Sequence, residues 1–592
     1  MKNLFFKITF LFIFSVSIIS ENYKIQTTSG IVKGTLSNKV VTYEDIPYAK
    51  PPVGELRWKA PRSLSTPDYL IQPKEKNICV QRPSSLGGAE GDGSYVGTED
   101  CLYLDITIPK NKKSEKLPVM FWIHGGGNTS GLKDLYDFSK MVNKHNVIVV
   151  RINYRLGPFG WFTHPAIQGL QDGLDKSSNF GTLDIIKALE WVQNNISLFG
   201  GDLNNVTIFG ESAGGHNVLS LIVAKQAKGL FHKAISMSGY TTTISAQNAY
   251  KQESESSTSN FTSSSVVERI LRDKKKNINN NTEIRKVLIE ASTADFFKYY
   301  VERKPYEELP LLTADNIVIP KIGLNEALSK DELINKVPTI AGSNADEVKL
   351  WLATAEYFVG LDYSFLGSIL NIPKVVLKNE DSFEAFNYYR SSAWKIRGVD
   401  GPLQSLKIAG NNDIYAYRYD WDDHRQLVIA DFKKLIGAAH ATEIPLLAGD
   451  TKLVGGYPLS NLIYPKSFSK RFTSKNMMHF WTNFAKYGKP GVSTNNIEWK
   501  KYNPADRNSN YLVIDNRRNL KMETNKLSFQ SLSEELSRDE RVNNLEKCVI
   551  LLQMFTFVGN DLYDKNIEKY NGECNRSDSE QFLIDNASFI EY

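Results

Sequence analysis

Hydrophobic and polar positions along this chain change rhythm repeatedly. Short β-branched and aromatic runs alternate with longer segments whose apolar residues recur three and four apart. The runs at 119–123, 147–153, 206–209, 233–237, 339–341, 414–419 and 511–514 predict strands. Between the second and third of these, Leu183, Ile186, Ala188, Leu189 and Val192 follow a polar Ser177-Ser178-Asn179 start, which predicts an amphipathic helix. Strands alternating with helices imply an α/β fold, a large and mostly parallel twisted sheet with helices on both faces. Residues 253–265 are Ser/Thr-rich with little to bury and predict a surface insertion. No Pro/Gly/Ser-rich linker divides the chain, so residues 21–592 are expected to form one large domain.

Composition narrows the class. With 41% hydrophobic and 23% charged residues in 592, the chain is not collagen-like, coiled coil, largely disordered or multispan. Its net charge of +5 is spread without a basic block, so nucleic acid is not an implied partner. Residues 1–20 read as a signal peptide, with Lys2, an apolar stretch at 8–19, and Ser17 or Ser20 for cleavage. That stretch is shorter than the about 20 residues a spanning helix needs. The apolar run at 548–558 is also short and flanked by charge. The mature chain is therefore expected outside the cell or in the lumen of secretory vesicles, with no integral membrane segment after cleavage. Four cysteines then suggest two disulfides, and local pairing of Cys79 with Cys101 and of Cys548 with Cys574 is the economical choice among three. Sequons occur at Asn128, Asn195, Asn205, Asn260, Asn280, Asn575 and Asn586, of which Asn260 and Asn280 are the glycosylation candidates.

The chemistry begins at Gly210-Glu211-Ser212-Ala213-Gly214, a G-x-S-x-G element directly after the strand at 206–209 and before a helical run at 215–224. Two glycines without Cβ let the backbone turn tightly and lift the Ser212 hydroxyl above the sheet edge. A serine hydroxyl needs a base, an orienting acid and oxyanion donors. His124-Gly125-Gly126-Gly127 follows a strand and offers side-chain-free N–H groups, joined by the N–H of Ala213. Among eight histidines, His440 stands in a small-residue loop after the serine, whereas His124 and His216 read as packing groups beside the turn. For the acid, Asp346 and Glu347 both follow the strand at 339–341, and the residues alone leave that choice open.

Longer stretches carry a resemblance. They are Ile46-Pro47-Tyr48-Ala49 through Pro51-Pro52-Val53-Gly54 to Leu56-Arg57, Glu99-Asp100-Cys101-Leu102-Tyr103-Leu104, His124-Gly125-Gly126-Gly127 and Asn153-Tyr154-Arg155. Asn179-Phe180-Gly181 runs through Phe199-Gly200-Gly201-Asp202 to the serine motif, followed by Ile235-Ser236-Met237-Ser238-Gly239, Gly342-Ser343-Asn344 with Asp346-Glu347, and His440 with Glu443-Ile444-Pro445. From Gly30 to about Pro504 the chain resembles the type-B carboxylesterases, cholinesterase-like α/β-hydrolases. The resemblance implies Ser212 as nucleophile, Glu347 as acid and His440 as base, with Gly126, Gly127 and Ala213 as oxyanion hole. It implies a Cys79–Cys101 disulfide, no metal or organic cofactor, and a small-molecule ester as substrate. The family's second, short-loop disulfide has no cysteines here, and Ile185 and His216 depart from its pattern. Cholinesterase-like or lipase-like specificity, or a non-enzymatic adhesion or storage role on the same fold, are the competing expectations.

Overall fold

A computed structural model describes residues 23–586 apart from 75–76, 85–86, 115, 252–261, 302–310, 364–373, 452–462, 505–510, 525–526, 557–566 and 568–573. The expected signal peptide and Asn260 lie outside the described residues.

Twelve strands form one sheet in the order β1-β2-β3-β4-β6-β5-β7-β8-β9-β10-β11-β12. They are β1 (Lys24–Thr27), β2 (Gly30–Ser37), β3 (Val40–Pro47), β4 (Tyr103–Pro109), β5 (Leu117–Ile123), β6 (Ile148–Ile152), β7 (Gly201–Glu211), β8 (Lys233–Met237), β9 (Thr339–Asn344), β10 (Ile414–Tyr419), β11 (Tyr511–Ile514) and β12 (Lys521–Glu523). From β6 through β11 every neighbouring pair is parallel; β1 to β4 and β12 add antiparallel edges. All seven strands expected from the pattern are present. The antiparallel edge strands are not expected from the pattern, because their polar alternation is weak, although β1–β2, β2–β3 and β11–β12 pair as local hairpins.

Period-two alternation sorts the strand residues into two cores. Val119, Phe121 and Ile123 of β5 face one layer, while Met120 and Trp122 face the other. Helix α1 (Ser139–His145) covers the second layer, and α2 (Phe180–Asn195) and α3 (Ala213–Val223) the first. A third cluster sits over Trp58, formed by α4 (Ser263–Asp273), α5 (Asn281–Glu290) and α6 (Thr293–Val301). The expected insertion is thus partly structure: Thr262 and Ser265 close a capping box, and Ser263 and Ser264 are buried in the first turn of α4. Exposed Asn280 caps α5, its Oδ1 accepting from the Thr282 N–H at 2.8 Å.

A fourth cluster joins α7 (Glu380–Lys395) to the chain's last helices; α8 (Phe468–Tyr487) belongs to the second layer. Those last helices are α9 (Phe529–Arg538), α10 (Asn544–Thr556) and α11 (Arg576–Asp585). Disulfides link Cys79 to Cys101 and Cys548 to Cys574, as local pairing predicts. Among the described residues no helix is long and apolar enough to cross a membrane.

Candidate active site

β7 ends at Glu211 and α3 begins at Ala213, so Ser212 alone makes the turn, with φ 58° and ψ −123°. An L-residue is held in this sparsely populated conformation only when its surroundings fix it. The Ser212 N–H donates to the Met237 carbonyl at 2.9 Å, and the Ser212 carbonyl accepts from the His216 N–H at 2.9 Å. Gly214 permits the turn because a Cβ there would run into the Ile123 carbonyl oxygen.

The loop after β5 lies beside this turn. A Cβ on Gly125 would stand 3.0 Å from the Ser212 Cβ. Gly126 has φ 96° and Gly127 φ 62°, a backbone that favours glycine, and the Gly126 carbonyl is turned into the loop by the Thr129 and Ser130 N–H groups at 3.0 and 2.9 Å. The N–H groups of Gly126, Gly127 and Ala213 find no acceptor among the described residues. Their grouping next to Ser212 fits donors awaiting an external oxygen.

Of the two candidate acids, the structure brings Glu347 to His440. Its Oε2 lies 2.6 Å from His440 Nδ1, its Oε1 accepts from the Asn344 N–H at 2.8 Å, and its carbonyl accepts from the His440 N–H at 3.1 Å. Asp346 faces elsewhere, accepting from the Ala438 N–H at 2.9 Å and Asn387 Nδ2 at 2.6 Å. The other ring nitrogen of His440, Nε2, lies 3.1 Å from Oε1 of Glu211, the residue before Ser212.

Three participants were not anticipated. Glu211, the variable residue of the serine motif, and Glu443, one turn beyond His440, are both buried, and Asn344 Nδ2 joins Glu443 to the Ala439 carbonyl at 2.6 and 2.7 Å. Burial pushes the Glu211 carboxyl up to about 8 and that of Glu443 up to about 7. Burial alone would lower His440; the facing Glu211 and Glu347 carboxylates outweigh it and raise the imidazole to about 9. The third participant is an indole pair. Trp394 and Trp351 pack their rings 4.9 and 5.1 Å from that of His440. Trp351 stands four residues after Glu347, the one sequence signal that could have found it.

The remaining histidines near the turn are packing groups, in agreement with the sequence reading. His124 stacks on Tyr154 at 4.4 Å with Nδ1 2.8 Å from the Gly125 carbonyl oxygen, and burial lowers it to about 4. His216 packs on Tyr240 at 4.3 Å, and burial lowers it to about 3.

A mostly parallel sheet with a strained serine turn at the end of a central strand defines an α/β-hydrolase. The Carboxylesterase family profile matches residues 21–390 and 398–531. This chain belongs to that family and is a carboxylic ester hydrolase. It is 46% identical to the para-nitrobenzyl esterase of Bacillus subtilis (strain 168) over 228 residues, which are 38% of this chain and 45% of that protein. It is 30% identical over 533 residues to liver carboxylesterase 1F of Rattus norvegicus, covering 83% of this chain and 90% of that one. A solved PNB esterase structure, 27% identical, superposes with a TM-score of 0.64 over 86% of this chain and 99% of its own.

Proposed function

We propose that the protein is a secreted serine carboxylesterase, a single α/β-hydrolase domain from residue 21 that follows a removed leader, and that it works through an acyl-enzyme. In this reading Ser212 Oγ attacks the ester carbonyl carbon while His440 Nε2 takes its proton. Glu347 holds the proton of Nδ1 in place and stabilises the imidazolium. The N–H groups of Gly126, Gly127 and Ala213 receive the developing oxyanion, each worth about 3–4 kcal/mol in the transition state. His440 returns the proton to the departing alcohol, and water, activated by the same imidazole, releases the acid. The substrate is a small-molecule ester and the reaction calls on no metal or organic cofactor.

The observation that carries the reading is the 2.6 Å pair between His440 Nδ1 and Glu347, on a ring whose Nε2 lies 3.1 Å from Glu211, the residue before Ser212. Two local disulfides and an exposed sequon at Asn280 support the secretory assignment. Ser212→Ala should abolish labelling by a serine-directed organophosphate and lower turnover of nitrophenyl esters by about three orders of magnitude or more. Labelling that survives in the variant would overturn the assignment.

A further inference from the structure

From residue 451 to 497 the chain contains no acidic residue, while Lys466, Lys470, Arg471, Lys475, Lys486 and Lys489 all fall there. Folding adds two neighbours from elsewhere. The Lys470 ammonium is pushed down, first by burial and then by Lys140, Lys466, Arg425 and Arg471 around it. Arg425, Lys466 and Arg471 are exposed, and none has a carboxylate at ion-pair distance among the described residues. Nearby acids are already engaged. Asp422 pairs with Lys433 at 3.2 Å, Asp423 accepts from the Ser469 hydroxyl, and Asp431 accepts from Gln426 Nε2 at 3.1 Å.

Apolar side chains stand out of the same surface. Phe468, at the start of α8, is 60% exposed. Val428 is 91% exposed at the tip of a hairpin pairing Gln426–Leu427 with Ala430–Asp431, and Ile429 sits beside it. That hairpin is fixed on both sides. The Arg425 N–H donates to the Ile463 carbonyl at 3.3 Å and Trp421 stacks on Tyr464 at 5.8 Å, which ties it to the segment entering α8. The Val375 N–H donates to the Ile429 carbonyl at 2.8 Å, which ties it to a second hairpin (Val359–Asp362 with Lys374–Leu377) where Leu361 is also exposed. Both hairpins lie in connections that leave the C-terminal ends of β9 and β10, the edge of the sheet that holds Glu347 and His440.

We propose that this rim docks the enzyme on an anionic lipid surface. Val428, Ile429 and Phe468 enter the headgroup layer, and Arg425, Lys466, Lys470 and Arg471 meet the phosphates. A sulfated polysaccharide would engage the cations but leave Val428 and Phe468 in water, so the exposed apolar tip favours lipid. Docking places the sheet edge that carries the site next to the bilayer, within reach of esters dissolved in it. The proposal stands apart from the serine mechanism, since binding is read without turnover.

The full-length protein is co-sedimented with vesicles of phosphatidylcholine alone and of phosphatidylcholine mixed with phosphatidylserine, at low and high salt. The expected result is binding to the mixed vesicles only, released by salt. Each cation near an anionic bilayer strengthens binding about fivefold, so Lys466→Glu with Arg471→Glu should lower partitioning by about tenfold or more. Val428→Ser with Phe468→Ser should lower it as well. Hydrolysis of a soluble nitrophenyl ester should be unchanged in both variants, which shows that they fold. Failure of the unaltered protein to bind mixed vesicles, or vesicle binding that neither variant changes, overturns the proposal. Retention on heparin with no vesicle binding would identify a polysaccharide partner instead.

Discussion

His440 lies between two buried carboxylates that do different work. Glu347 touches Nδ1 and fixes the tautomer, while Glu211 faces Nε2, the nitrogen that must be empty to accept a proton. Two tests follow from this arrangement. Glu347→Gln should reduce kcat by about three to four orders of magnitude, because the amide stabilises the wrong tautomer and removes the charge that faces Nδ1 of the imidazolium. Asp346→Asn, which among the described residues alters contacts with Ala438, Asn387 and Lys349, should stay within about tenfold, and the reverse ranking in steady-state assays would reassign the acid. The second test is a pH profile. A carboxylate beside Nε2 favours the imidazolium, which is the inactive form of a base, so activity should climb as pH rises through the apparent value of His440. Glu211→Gln removes that carboxylate at nearly the same shape. It should lower the apparent value and move the acid limb of kcat/KM to lower pH. A limb that stays in place would mean that Glu211 keeps its proton while His440 titrates.

The disulfide loop and the last helices act as elements, each bearing on the site through packing. Residues 80–100, closed by Cys79–Cys101, contain no tryptophan, and their one aromatic ring, Tyr95, leans on Phe297 at 6.1 Å. The two indoles nearest the site already flank His440, and Trp394 is only 3% exposed. A quaternary ammonium over an open ring gains about 2 kcal/mol, a preference of roughly thirtyfold. Without such a ring, a choline ester and its neutral tert-butyl isostere should have kcat/KM values within about tenfold of each other. A hundredfold choline preference would show that Trp351 or Trp394 turns to meet the cation. At the other end of the chain, α10 is buried from Cys548 to Phe555: Val549, Ile550, Leu551, Leu552, Met554 and Phe555 share one cluster with Trp351 and Trp394. This helix lies beyond the family match, which stops at residue 531. Leu551→Ala should cost about 2–5 kcal/mol in denaturant unfolding, and it should impair turnover by loosening the indoles that hold the base. Unchanged stability would detach α10 from the core.

Over the whole molecule, two core layers clamp a parallel sheet, and the groups of the site meet at the C-terminal ends of its strands. A buried pair ties the loop after β6 to α2. Arg155 donates to Asp184 through Nε and Nη2, both at 2.7 Å, with Asp184 fully buried. Signals that repeat or cluster within a few residues were legible in the sequence: the seven strands, the helix after Asn179, the serine turn, the glycine loop and His440 as the histidine in a small-residue loop. Each is local, because period and turn chemistry act over a handful of positions. What needed the folded chain were the partnerships made at long range. His440 and Glu347 are 93 residues apart, Asn344 and Glu443 are 99 apart, and the hairpin carrying Val428 meets the basic start of α8 through the Arg425–Ile463 backbone bond, the Trp421–Tyr464 stack and the Ser469–Asp423 hydrogen bond. Sequence physics left Asp346 and Glu347 equal since both follow the same strand; one residue's difference in direction turns the first toward Ala438 and the second toward the imidazole. Likewise Glu211, Glu443, Trp351 and Trp394 carry no motif of their own as site groups. Burial and the strand order gave them their roles, by bringing side chains that are ordinary in sequence within a few ångströms of one ring, where water no longer screens their charge.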